Sequence, residues 1–183
     1  MAAKVRVERD PLGEVEVPAE ALYGAQTARA VANFPISGLR ADAAFVDAVV
    51  RIKRAAASVH RGTGRLDAAR ADAIIAAADA VLGGAHRDQF VVDVYQAGAG
   101  TSLNMNVNEV LATLASRHLG AERVHPNDHV NMAQSTNDVI PTAIRLAALD
   151  RLRPALAQVD RLAESLRTRA TEFDQYVKAG RTH

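Results

Sequence analysis

From Asp138 onward, Ile140, Ile144, Ala148, Leu152, Leu156, Val159 and Leu166 keep helical spacing to about residue 170. A run of that length is typical of helical bundles rather than of small globules. Its apolar residues extend along the whole length, and the rest of the chain supplies few partners for them. Other copies of the chain, or sequence absent from it, are therefore expected to cover this helix, and Pro154 is expected to kink it. Hydrophobic residues make up 49% of the 183 but aromatics only 4%, with alanine frequent throughout, which favours closely packed helices over a β-sandwich. The expected class is mainly α.

Upstream, Val5 to Val17 alternate in short pieces around Pro11-Leu12-Gly13, the pattern of an irregular or hairpin-like arm. Residues 18–33 look helical but interrupted at Gly24. Phe45, Val49, Ile52, Ala56 and Val59 recur in steps of four and three, with Asp42 placed to cap and Gly62 to stop. That face leaves Arg51, Lys53 and Arg54 solvated. A second helix spans about Asp67 to Leu82, with Ile74, Ala78 and Val81 inward and Gly83-Gly84 at its end. FVVDVYQ, from Phe90 to Gln96, fits either a strand or buried extended chain. After it, Leu103, Val107, Val110, Leu111 and Leu114 line one helix face to about His118. Asn104 and Asn108 then share another face, where bridging to a neighbouring helix is favoured over reading a ligand. His60 and His118 fall near helix ends and are expected at the surface. The domains expected are residues 1–136, helical with a short extended arm, and 137–183, the start of a long-helix bundle.

Lys plus Arg number 22 against 21 Asp plus Glu, a net charge of +1, so no basic field points to nucleic acid or to an acidic membrane. The absence of cysteine excludes disulfides and thiol chemistry. The start MAAKVRVERD is too charged for a signal peptide, and no apolar run approaches membrane-spanning length. A cytoplasmic location is expected.

Any anion must then be bound locally, and two stretches are built for that. In QAGAGTSLNMNVNE, from Gln96 to Glu109, Gly98 and Gly100 allow backbone conformations closed to other residues, just before a helix start whose orphan N–H groups attract a carboxylate or phosphate. Thr101 and Ser102 add hydroxyl donors. A capped helix with no ligand is the alternative. In HPNDHVNMAQSTNDVIPTA, from His125 to Ala143, Ser135, Thr136 and Asn137 stand just before the long helix, with Pro141 expected in its first turn. Two such starts suit a substrate with a negative group at each end, that is, a dicarboxylate. No Gly-Lys-Ser or Gly-Lys-Thr follows the glycines, so this is not a P-loop. His125 and His129 are four apart, but Pro126 and Asn127-Asp128 favour a polar turn over a metal site. No metal or cofactor is expected. The terminal KAGRTH reads as the opening of a third functional turn, and the chain as a fragment.

These segments together resemble the fumarase/aspartase superfamily, homotetrameric lyases acting across the C2–C3 bond of four-carbon dicarboxylates. The match runs through DPLGEVEVPAEALYGAQTARAVANFPISG, QAGAGTSLNMNVNE, HPNDHVNMAQSTNDVIPTA and KAGRTH, in order. The resemblance implies that Thr101, with Ser102, Ser135 and Thr136, holds one substrate carboxylate, while Asn137, Thr182 and His183 face the other end, His183 being a catalytic candidate. It implies a second dicarboxylate site at His125, Asn127 and Asp128, and an active site in which the 101 turn, the 135–137 turn and the 182–183 pair come from different chains. It also implies a mechanism: a base takes the proton next to a carboxylate, and the charge collects there as an aci-carboxylate. The family's base is a serine in a GSSxMPxKxN loop, a pattern these 183 residues do not contain. Ala99, where fumarases usually carry serine, favours aspartate ammonia-lyase, whereas HPND resembles the fumarase second site. The expectation is L-aspartate to fumarate plus ammonia, with class II fumarase the alternative and a non-catalytic helical anion-binding module a third reading.

Overall fold

The structure is a computed structural model and describes residues 4–98, 100–120 and 123–181. Its N-terminal arm is a two-stranded antiparallel hairpin, β1 (Val5–Asp10) and β2 (Gly13–Pro18), in register from Val5 opposite Pro18 to Asp10 opposite Gly13. The Asp10 carboxylate stabilises the tight turn by accepting from the Leu12 amide at 2.9 Å. It also receives both Nε and Nη2 of Arg29, which ties the hairpin to α1 (Ala25–Asn33). The arm is thus fastened to the helices.

Two helices follow where the capping residues place them. Asp42 accepts from the Ala44 amide at the start of α2 (Ala43–Gly62), and Asp67 from the Arg70 amide at the start of α3 (Ala68–Leu82). FVVDVYQ is not a strand: a short 3-10 turn (Arg87–Gln89) leads into extended chain with one bridge, Arg40 to Asp93. Phe90 and Val92 are buried there, so its β-branched character serves packing. The helix α4 (Thr101–Leu119) packs on α1, α2 and α3, with Leu103, Val107, Val110 and Leu111 fully buried among Val49, Val50, Ile74 and Val81. A π-helical turn (Pro126–Val130) precedes α5 (Thr136–Phe173).

The chain divides into two compact units, residues 1–147 and 148–183, whereas the sequence pattern put the boundary at 136/137. Within the first unit α5 buries Val139, Ile140 and Ala143. Because the helix begins at Thr136, Pro141 lies in its second turn and not its first; the helix runs on through Pro154 to Phe173. In the second unit Leu149, Leu152, Leu156, Val159, Leu162 and Leu166 are 48–62% exposed, an apolar row that nothing among the described residues of that unit covers. Among the described residues, no helix is long and apolar enough to cross a membrane.

The inward face of α2 differs from the sequence expectation by one residue. Val46, Val49, Val50, Lys53, Ala57 and His60 are buried, while Val59 is 60% exposed. The spacing of fours and threes was right, but choosing only apolar positions shifted it. The true face carries two polar residues.

A long-range carboxylate fixes how α1 meets α4. Glu109 of α4 accepts from the amides of Gly24, Gln26 and Thr27 at 2.8–3.1 Å, filling the orphan N–H positions at the start of α1. Gly24 is needed for space: a Cβ there would lie 2.7 Å from Glu8 Oε2 and 3.0 Å from Glu109 Oε1. Glu109→Ala is expected to lower stability by about 2–3 kcal/mol, as loss of a buried charged acceptor of amides does. Urea denaturation of the variant checks it.

Candidate anion-binding site

The first glycine turn has the backbone its sequence requires. Gly98 and Gly100 take φ of 58° and 84°, and Gly100 directly precedes α4. Gln96 closes the turn from behind: its Oε1 accepts from the Leu103 amide at 2.7 Å, and its Nε2 donates to the Asp93 carbonyl at 2.9 Å. Thr101 is exposed at the tip, whereas Ser102 is buried. Ala99 lies outside the described residues.

Asp93, which periodicity did not single out, anchors this segment. Its carboxylate accepts from the amides of Ser37, Gly38 and Tyr95 and from the Ser37 hydroxyl, all at 2.7–2.8 Å. Burial alone would raise its pKa, but these donors outweigh that and hold it at about 2. An aspartate between two valines in a β-branched run was the available signal.

The second start is capped by Ser135, whose Oγ accepts from the Asn137 amide at 3.2 Å and whose carbonyl accepts from Asp138 and Val139. Ser135 and Asn137 are exposed and Thr136 half-buried. The two starts adjoin within one chain. Asn104 Nδ2 of α4 donates to Thr136 Oγ1 at 3.2 Å, and a Cβ on Gly100 would meet Ile140 side-chain carbons of α5 at 3.0 Å. This contact sets the 101 and 135–137 turns side by side in one chain, where the expectation drew them from different chains. It also places Asn104 as the inter-helix bridge its position favoured. Asn108 is fully buried, and neither of its amide atoms has a partner among the described residues.

Behind the second start lies a polar layer that the sequence pattern misplaced. Lys53, expected on a solvated face, is fully buried, and its Nζ donates to Asn131 Oδ1 at 2.7 Å. Burial pushes its pKa down to about 7. His60, expected at the surface, is buried too, with Nε2 at 2.9 Å from the Met132 carbonyl. His118 is exposed as expected.

His125, Asn127 and Asp128 belong to the π-helical turn and its cap; all three are exposed, and His125 Nδ1 accepts from the Asp128 amide at 3.1 Å. His129 is drawn into the same turn, its Nδ1 accepting from the His125 amide at 2.8 Å. Among the described residues, no cluster of three or more His, Asp or Glu side chains is placed to hold a metal ion. An open groove of about 930 Å³, lined by Arg6, Arg9, Glu109, Arg117, Arg123 and His125, lies apart from the two helix starts. Thr182 and His183 lie outside the described residues.

Two hydroxyl-bearing helix starts lie side by side, where their orphan amides can face one anion. Residues 13–183 match the model of a lyase family. The chain belongs to the fumarase/aspartase superfamily. It is 53% identical to a class II fumarate hydratase of Halobacterium salinarum, covering 100% of this chain and 40% of that one. It is 48% identical to that of Mycobacterium tuberculosis, covering 100% and 38%. Among solved structures, a fumarate lyase:delta crystallin from Brucella melitensis superposes with a TM-score of 0.92 at 44% identity, over 98% of this chain and 44% of that one. The class II fumarase of Schistosoma mansoni gives 0.89 at 39% identity, over 98% and 39%. The chain spans about 40% of the length of the curated relatives it matches.

The Asp93 geometry carries a pH dependence. Its folded pKa lies below the usual 3.8, so its stabilisation is fully present above that value and is lost as pH falls through about 2. Asp93→Asn is expected to lower Tm near neutral pH and to flatten the acid limb of the Tm profile. A variant with the parental acid limb would contradict this.

Proposed function

We propose that this lyase acts as a class II fumarase, interconverting fumarate and malate. The observation that carries the reading is the contact of the α4 and α5 starts in one chain, with Thr101 and Thr136 presenting hydroxyls at adjoining helix N-termini. Asn104 donates to Thr136 Oγ1, which uses an acceptor position of that oxygen and leaves the hydroxyl proton available to a carboxylate. In the malate-to-fumarate direction a proton leaves the carbon next to that carboxylate, charge gathers on the carboxylate oxygens, and the hydroxyl departs with a proton as water. Donors fixed in advance stabilise that charge without reorganising.

The aspartase expectation rested on Ala99, which lies outside the described residues. The relatives support the alternative instead, since those named are fumarate hydratases. Under the same reading, Ser102, Ser135, Asn137, Thr182 and His183 are further substrate residues, His125, Asn127 and Asp128 a second dicarboxylate site, and other copies in a homotetramer cover the apolar row of α5. Buried Ser102 takes part through its backbone start rather than at the exposed tip.

A protein extended to the relatives' length is expected to hydrate fumarate, followed by loss of fumarate absorbance, and to release no ammonia from L-aspartate. Ammonia release without hydration would return the aspartase reading, and carboxylate binding without turnover the non-catalytic one. In that enzyme Thr101→Ala or Thr136→Ala is expected to lower kcat/KM by about a hundredfold. The 183 residues alone should self-associate in light scattering through the row from Leu149 to Leu166 and form no malate. A compact monomer that made malate would contradict both statements.

A further inference from the structure

Lys53 is fully buried, yet no carboxylate pairs with it among the described residues; its recorded partner is the Asn131 side-chain oxygen at 2.7 Å. An unpaired ammonium in such a place is costly, and its depressed pKa records that cost. Replacing it with a leucine or methionine would pack as well and avoid the penalty, so packing does not explain it. What it touches does.

Asn131 sits at the head of the short turn that delivers the chain into α5. Its Nδ2 donates to the Gln134 carbonyl at 3.3 Å, and the Gln134 side chain in turn donates to the carbonyls of Val130 and Met132. Between them Ala133 is held at φ 53°, a left-handed conformation that a residue with a Cβ adopts only when its surroundings impose it. His60, seven residues after Lys53 and on the same face of α2, reaches the Met132 carbonyl of this turn. Both polar residues of the α2 inward face therefore contact the turn that ends at Ser135.

The orientation of Asn131 is the sensitive point. An amide can present oxygen or nitrogen in either direction, but a lysine Nζ only donates when charged, so it fixes the oxygen toward α2 and the NH₂ toward Gln134. The same oxygen lies 3.4 Å from Asn104 Nδ2, the group that donates to Thr136 Oγ1. Lys53, Asn131, Asn104 and Thr136 form one chain of contacts from the interior to the Thr136 hydroxyl.

We propose that Lys53 is a positioning residue for the α5 helix start: through Asn131 it holds the strained 131–134 turn and sets Thr136 toward the substrate carboxylate. This rests on the reading of that start as a carboxylate seat. Lys53 touches no substrate atom in this account and acts only through the asparagines.

The test uses the relative-length enzyme and two readouts, fumarate kinetics and calorimetric binding of succinate, a saturated dicarboxylate that cannot react. Lys53→Met is expected to raise the succinate Kd and fumarate KM by about tenfold, the scale of one hydrogen bond to a charged group, with a much smaller change in kcat. Asn131→Asp keeps an acceptor for Lys53 and supplies its missing counterion, but cannot donate to the Gln134 carbonyl. It should therefore keep or raise Tm while raising the succinate Kd by a similar factor, about tenfold. Loss of binding without loss of stability is what a purely structural lysine would not give. If Lys53→Met does not fold, Asn131→Asp decides. Parental succinate affinity in any folded variant, or unfolding of both, would overturn the positioning role. Succinate binding by the parent without fumarate hydration would defeat the fumarase reading alone, and absence of succinate binding by the parent would defeat both.

Discussion

The hydrogen bond from Asn104 to Thr136 joins two helix starts that are thirty-odd residues apart in sequence, and the first unit is arranged so that it can form. Gly100 permits it by leaving no Cβ to meet Ile140, so α5 approaches the α4 turn as closely as backbone allows. Asp93 and Gln96 fix the α4 side, the one by gathering amides of the 37–38 loop, the other by filling the Leu103 amide position. Asn131 and Ser135 fix the α5 side. Neither start depends on its own helix alone for its shape.

The energetics follow from burial of polar groups. Asn104, Asn106, Asn108, Lys53 and Glu109 all lie inside, where an unpaired polar atom costs about 1–3 kcal/mol. Asn106 is matched on both sides, accepting from the Val91 amide and donating to the Gln89 carbonyl, and Glu109 is matched by the α1 start. These two bind the framework together. Asn108, and Asn104 at its oxygen, are left without partners among the described residues.

Much of this was legible in residue order. The caps Asp42 and Asp67, the hairpin around Pro11-Leu12, the glycine turn and the start at Ser135 each carry a local signal, because capping and left-handed turns are decided within a few residues. The α2 face was not legible. Its inward positions 53 and 60 hold a lysine and a histidine, and a hydrophobic pattern assigns such residues to water unless their partners are known. Those partners, Asn131 and Met132, are more than seventy residues away. Asp93 was missed for the same reason: its donors at Ser37 and Gly38 come from another loop. The aspartase expectation turns on Ala99 and the GAGTS stretch around it, whereas the relatives named are fumarate hydratases.

The central claim is that the α4 and α5 starts of one chain form a single carboxylate seat. A crystal structure of the relative-length enzyme with succinate bound tests it most directly. The account predicts one succinate carboxylate within hydrogen-bond distance of both Thr101 and Thr136, with the Asn104 to Thr136 bond intact. A carboxylate held at only one of the two starts, or succinate bound elsewhere with both starts empty, would contradict it.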